Sequence, residues 1–409
     1  MTLGAAQLAP CGIRHLLLDA SHPTLEATGP ENGLYLIVWA DGRPVGHRVL
    51  VRSELPVPAP ALAVMIADIA GAHLATPAPQ ASRRGSQGLS VSVVVCTRER
   101  PEDLRRCLAS LALCEPQPAE IIVVDNAPST DSTAAVVREF PGVRYLLEPE
   151  PGLSYARNAG ARVASGDVVA YTDDDVEVRP DWVGSLVLPF ADPSVACVTG
   201  IVVPADLSSE AACLFEFGIG AFGRELAVRR FGTSFLRRRW WQSPDVWQIG
   251  AGANMAIRRS AFALVGLFDT RLGAGASGCS EDSELWFRLL RAGLVCHYDP
   301  GTVVFHHHRN DHGSLYRQIR DYTRGHVVAL FVQFGQDRQL CHLVRAFAIM
   351  PWYYLKGGLR AFRHGDRDTF TVMVQQLKGC LAGPIYALRL LRPYSKPHLV
   401  LGNDIGKVP

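Results

Sequence analysis

Between residues 91 and 173 short apolar runs alternate with amphipathic segments, and no other feature of the chain restricts its fold as much. "VSVVVC" (91–96) is a near-continuous β-branched run of the kind shown by a strand buried on both faces. "PEDLRRCLASLAL" (101–113) follows it, with Leu104, Cys107, Leu108 and Leu111 at helical spacing and acids in the first turn. "EIIVVD" (120–125), "VRYLLE" (143–148) and "DVVAYTD" (167–173) repeat the strand pattern. "DSTAAVVREF" (131–140) and "LSYARNAGARVAS" (153–165) repeat the helical one. Such alternation predicts a parallel sheet with helices on its faces, and ligands of these sheets gather at the C-terminal ends of the strands.

That rule organises the polar residues. Thr97, Arg98 and Glu99 follow the first strand, Asp125 and Asn126 end the second, and Asp173, Asp174 and Asp175 end the fourth. Three adjacent carboxylates repel one another. Two of them, one residue apart at a strand end, can share a hard divalent cation, because Mg2+ and Mn2+ take oxygen ligands and combine one or two carboxylates with substrate phosphates. An isolated acidic triplet is more often a solvated turn; this one ends a buried strand, where ligands collect.

The segment "VSVVVCTRERP…IIVVDNAPSTD…LSYARNAGARVASGDVVAYTDDDVEVRPDW" resembles the nucleotide-sugar-binding half of a family 2 glycosyltransferase, with the GT-A fold. "QIGAGANMAIRRSAFALVGLFDTRLGAGASGCSEDSELWFRLLRAGLVCHYDPGTVVFHHHR" is similar to the acceptor-side region of that family. The likeness covers residues 90–312. It implies an inverting transferase that uses Mg2+ or Mn2+ and a nucleotide-sugar donor, a UDP-sugar in the first instance, with a glycan or lipid-linked acceptor, in bacterial polysaccharide or other cell-envelope synthesis. It also implies roles. Asp175 would be the direct metal ligand, with Asp173 and Asp174 holding ribose and diphosphate, Asp173 also counted as a metal ligand, and His306 helping with metal or diphosphate. Thr97, Arg98 and Glu99 would cradle the nucleotide, Asp125 would contact the base with Asn126 beside it, and Arg157 and Asn158 would line the nucleotide or diphosphate pocket. Glu281 and Asp282 would form the acidic segment, with Asp282 as catalytic base.

Local sequence alone leaves some of these readings open. Asp282 is also what a helix carries in its first turn, with Ser280 as N-cap. Asp125 could simply cap a turn. The three histidines 306–308 do not form a zinc site by themselves, since alternate side chains on an extended segment face opposite ways. "GAGAN" (250–254) lacks the spacing of a dinucleotide loop and reads as a close backbone approach on the acceptor side. Glycines 273, 275 and 278 are expected to let the loop before Asp282 close over the donor.

Outside residues 90–312 the sequence changes character. Residues 1–75 read as a small β-rich accessory domain around the hairpin "GLYLIVWADGRPVGHRVLV", followed by a linker over 76–89. Residues 313–409 read as a helical region, "LYRQIRDYTRGHVVALFVQF" and "TVMVQQLKGCLAGPIYALRLL" being separated by "RAFRHGDRD". Its interleaved basic and apolar residues allow peripheral membrane contact, packing on the main domain, or self-association. The basic, aromatic stretch 229–241 is either a solvated loop or a contact for phosphates. A net charge of +2 argues against a dedicated nucleic-acid binder. Ten scattered cysteines without a C-x-x-C pair, and no signal peptide, fit a cytoplasmic protein, with attachment to the inner face of the membrane left open. Two rival functions remain: a sugar nucleotidyltransferase, which would leave Asp282 without a role, and an inactive scaffold that binds sugar nucleotides or glycans.

Overall fold

The structure is a computed structural model that describes residues 4–74, 88–223, 225–237 and 241–390. Near the N-terminus β1 (Cys11–Leu17) lies parallel to β2 (Gly33–Ala40), which turns back into β3 (Arg43–Val51). The turn is the expected Asp-Gly pair, Asp41 and Gly42 both having positive φ, 49° and 74°, as the tight hairpin that matches strand twist requires. α1 (Ala59–Leu74) then packs on this sheet. The β-rich reading missed this helix. "APALAVMIADIAGAHL" is apolar almost all round, so it favours a helix by its alanines but carries no 3.6-residue stripe to reveal one.

β2 has two buried faces. Leu34, Leu36 and Val38 pack towards α1 with Leu62 and Ile66. Tyr35, Ile37 and Trp39 point the other way and join the core of the main domain. Trp39 lies under the Arg179 guanidinium at 5.1 Å, Arg43 pairs with Asp299 at 3.4 Å, and the Cys11 amide donates to the Leu207 carbonyl. The N-terminal region is therefore built onto the main domain through a shared core. All but the last two residues of the expected linker lie outside the described residues.

The expected alternation is present as β4 (Val91–Thr97), α2 (Pro101–Leu111), β5 (Glu120–Asn126), α3 (Ser132–Arg138), β6 (Val143–Glu148), α4 (Leu153–Val163) and β7 (Val168–Asp173). The chain continues through β8 (Val176–Val178), α5 (Trp182–Val187), β9 (Val195–Pro204), α6 (Glu210–Cys213), β10 (Arg229–Phe231), α7 (Thr233–Leu236), β11 (Asn254–Arg258), α8 (Ala261–Val265), α9 (Glu281–Arg291) and β12 (Val295–His306). Among the described residues nine strands form one mixed sheet, in the order β10-β12-β9-β11-β7-β4-β5-β6, with β8 paired to β12. β7, β4, β5 and β6 are parallel, and β11 runs antiparallel between β7 and β9. Every residue of β4 and of β9 is buried, which explains their near-continuous apolar character. Register sets the site: Thr97 lies beside Asp125, and Cys96 beside Asp173, so three strands end level at one edge.

The C-terminal part consists of α10 (His312–Asp337), α11 (Cys341–Val344), α12 (Met350–His364) and α13 (Arg367–Arg389). The expected separator "RAFRHGDRD" is a break only at Gly365 and Asp366; its first five residues finish α12, whose apolar run had not been read as a helix. Asp366 caps α13 by accepting from the Thr369 amide. α13 lies close on α10 because Gly379 and Gly383 face the Arg320 carbonyl and Val327, where a Cβ would come within 2.6 and 2.5 Å. In the stretch 229–241 the described part is a short strand and one helical turn, and residues 238–240 lie outside the described residues.

Candidate active site

A cleft of about 930 Å³ opens at the C-terminal edge of the sheet. Thr97, Arg98, Arg100, Asn126, Arg157, Asp173, Asp174 and Asp175 line one side of it. Gly250 to Ala253, Glu281, Asp282, His306 and Arg309 line another, and Arg317, Asp321 and Arg324 of α10 complete the wall. The site thus extends past residue 312, where the sequence placed the end of the catalytic domain.

The triplet is held by partners far away in sequence. Thr97 Oγ1 donates to Asp174 Oδ2 at 2.7 Å. Arg100 bridges Asp174 at 3.0 Å and Asp175 at 2.9 Å, and Arg309 approaches Asp175 at 4.0 Å. Burial and the adjacent Asp175 charge push the Asp174 carboxyl up to about 7, against the pull of Arg100 and Thr97. Burial works against the Asp175 charge too, but His306, Arg100 and Arg309 outweigh it and hold this carboxyl below its ordinary value. Of the buried pair, Asp175 is therefore the one that keeps its charge.

His306 ends β12 with Nε2 3.4 Å from Asp175 Oδ1. Burial pushes its imidazole down to about 4, leaving it neutral near pH 7, the form that binds metals. The expected alternation of the histidine run is what the structure has. His307 turns away to Glu177, while His306 and His308 share a side, their Nδ1 atoms 2.9 Å apart. Asp173 reaches the cleft with about a third of its side chain exposed. These oxygen and nitrogen donors fit Mg2+ or Mn2+. Among the described residues no group of three or more His, Cys, Asp or Glu is placed to hold a metal ion by itself, so a cation here would take further ligands from a diphosphate.

Arg157 organises the middle of the site. It is buried, donates to Glu281 Oε1 at 2.7 Å and to Asp173 Oδ1 at 3.2 Å, and lies against the rings of Tyr171 and Phe268. Burial pushes the Glu281 carboxyl up to about 7 despite this partner, with the Asp282 charge adding to the rise. Asp282 stands in the first turn of α9, as its local sequence suggests, and it also faces the cleft. Its Oδ2 accepts from the Gly252 amide at 2.9 Å, and its Oδ1 from the Ser283 amide at 2.6 Å. "GAGAN" is the close approach expected: a Cβ on Gly252 would come within 2.8 Å of the Arg157 guanidinium.

Several expectations change. Ser280 does not cap α9; it adopts a left-handed conformation (φ 71°), and its hydroxyl lies 3.0 Å from Cys279 Sγ. Asn158 does not line the pocket. It is fully buried, its amide donating to the Phe268 carbonyl and accepting from the Phe268 amide, so it pins α4 to the segment before the acidic loop. Asp125 ends β5 but is buried beneath Tyr145, whose hydroxyl it accepts at 2.9 Å, and it does not line the cleft. Glu99 turns out of the cleft to hold Ser129 and Thr130. Asn126 lines the cleft while fixing the loop before α4, through the Glu150 carbonyl and the Gly152 amide. In the glycine loop before Asp282, Gly278 lies against the Asp321 carbonyl, and Arg324 donates to the Ser277 carbonyl at 2.7 Å. Sequence reasoning missed Arg100 and Arg309. The available signal was an unassigned cation three residues past the end of β4 and of β12.

Comparison with known proteins places this geometry. The family described as "Glycosyl transferase family 2" matches residues 92–264. The pre-mycofactocin glycosyltransferase of Mycobacterium tuberculosis is 28% identical over 346 residues, which cover 80% of this chain and 64% of that protein. The validoxylamine A glucosyltransferase of Streptomyces hygroscopicus subsp. limoneus is 31% identical over 50% of this chain and 48% of its own length. The chain thus spans less than two thirds of the length of these relatives. In structure it is similar to the mannosyltransferase PcManGT from Pyrobaculum calidifontis, solved with GDP-Man and Mn2+, at a TM-score of 0.51 and 20% identity, covering 80% of this chain and 95% of that one. The fold is GT-A, as the sequence resemblance implied.

Proposed function

We propose that this chain, which belongs to glycosyl transferase family 2 through residues 92–264, moves a sugar from a nucleotide-diphosphate donor to an acceptor hydroxyl with inversion at the anomeric carbon. The observation that carries the reading is the meeting in one cleft of the strand-end triplet and a separate carboxylate, Asp282, held by the Gly252 amide. The relatives named above are glycosyltransferases, and PcManGT was solved with GDP-Man and Mn2+; both facts support a nucleotide-sugar donor and a divalent cation here.

In the proposed reaction the acceptor oxygen bonds to the anomeric carbon while the bond from that carbon to the diphosphate breaks. The acceptor proton passes to the Asp282 carboxylate, and the electron pair leaves with the nucleoside diphosphate. Asp175 and His306, with Asp173, would hold the cation, which when bound offsets the charge of the leaving diphosphate. Arg100 and Arg309 stand beside the same charge, and Arg157 keeps Asp173 and Glu281 in place. A single base, far in sequence from the metal side, suits one displacement without a covalent intermediate.

The test is thermal stabilisation by UDP, GDP, dTDP and CDP, each with and without Mn2+, alongside Asp175→Ala. A ligand that binds only the native state raises its stability by roughly 2.7 kcal/mol at a hundredfold excess over Kd. We expect a Mn2+-dependent shift with one nucleotide, UDP first, that Asp175→Ala abolishes. Well-folded protein that responds to none of the four would overturn the reading.

A further inference from the structure

The outer face of α12 and α13 serves nothing described so far. On α12, Trp352, Leu355, Leu359 and Phe362 recur at helical spacing, and Trp352 and Phe362 are 60% and 72% exposed. Lys356, Arg360 and Arg363 each stand one residue further on, or about 100° around the helix, so a basic row runs beside the apolar one. The opposite face, with Met350, Gly358 and Ala361, is buried. α13 adds Leu381, Ile385 and Leu388, all more than half exposed, on one stripe with Lys378. The Phe362 and Phe370 rings meet at 5.9 Å where the two helices join, which connects the two faces.

Charge separates the possible occupants. Residues 338–389 carry eight Lys or Arg and two Asp, a formal +6, in a chain whose total is +2. A second copy seated on this face across a two-fold axis would bring like-charged rows together. Among the described residues no helix is long and apolar enough to cross a membrane. Aromatic and aliphatic side chains flanked by lysine and arginine suit a helix lying in the interface of a bilayer with anionic headgroups.

We infer that the outer face of α12 and α13 docks the protein on an anionic membrane surface, the apolar row entering the headgroup boundary and the basic row meeting the phosphates. The inference goes beyond the transfer reaction and can be tested without it. Full-length protein is sedimented with vesicles of phosphatidylcholine alone and of phosphatidylcholine with phosphatidylglycerol, at low and high salt. We expect preferential, salt-sensitive binding to the anionic vesicles. Lys356→Gln, Arg360→Gln and Arg363→Gln together should weaken it about a hundredfold, at roughly fivefold per basic residue. Trp352→Ser with Leu359→Ser should lower binding separately, without changing the melting temperature. Wild-type protein that ignores anionic vesicles, or variants that bind them as well as wild type does, would overturn the inference. So would a dimer in sedimentation equilibrium that the same substitutions dissociate.

Discussion

Replacing Asp282 by asparagine is expected to lower the rate of sugar transfer by roughly a thousandfold, in the middle of the range for losing a positioned general base. The substitution is nearly isosteric, and the asparagine can still accept from either the Gly252 or the Ser283 amide, both of which now serve the carboxylate. What disappears is the capacity to take a proton. Nucleotide binding should be unaffected, because the proposed donor side consists of the triplet, Arg100 and His306. The measurement is kcat and KM for donor and acceptor, with a nucleotide-induced thermal shift as control. A carboxylate that merely complements the N-terminus of α9 would contribute about 0.3–1 kcal/mol to stability and nothing to the rate. A rate loss below tenfold would therefore favour that role and remove Asp282 from the chemistry.

The second large effect concerns Arg157. It is buried between Glu281 and Asp173, and removing one partner of a buried ion pair leaves a charge with nothing to compensate it. Arg157→Met should destabilise the protein by about 3–5 kcal/mol, measured by denaturant unfolding. Glu281→Gln should cost less, because it removes a carboxylate that burial already pushes up to about 7. Combining the two should recover part of the loss. The pH dependence has a definite sign. An acid whose folded-state pKa lies above its unfolded value binds its proton more tightly when folded, so its contribution falls as pH rises. For Glu281 that window runs from its ordinary 4.5 up to about 7, and without Arg157 both this carboxyl and Asp173 move further up. Arg157→Met should accordingly lose stability more steeply than wild type above pH 5. An Arg157→Met protein within about 1 kcal/mol of wild type would contradict this account of the network.

Local pattern carried much of this architecture. The unbroken apolar runs of β4, β5 and β7 announced strands buried on both faces, and "ADG" announced the β2–β3 turn. The triplet was informative because of where it stood. What stayed hidden depends on contacts between residues far apart. Nothing near Asp175 in sequence says that Arg100 and Arg309 will flank it; the alignment of Cys96 with Asp173 brings the first near, and that of His306 with Val176 the second. Asn158 reads like a pocket residue until Phe268, 110 positions away, takes both ends of its amide. α1 and α12 escaped notice for a different reason: apolar residues surround the first, and the second exposes the face a soluble helix would ordinarily hide.

The two-sided burial of β2 bears on how the chain can be divided. Its first 74 residues supply Tyr35, Ile37 and Trp39 to the core that also holds Ile201 and Val203 of β9, beside the strand that ends in His306. Such a unit is not separable in the thermodynamic sense. The N-terminal residues and the nine-stranded sheet should unfold together, in one calorimetric transition. Trimming those residues would leave a raw apolar wound on the sheet, and an aggregating protein in place of a smaller folded one.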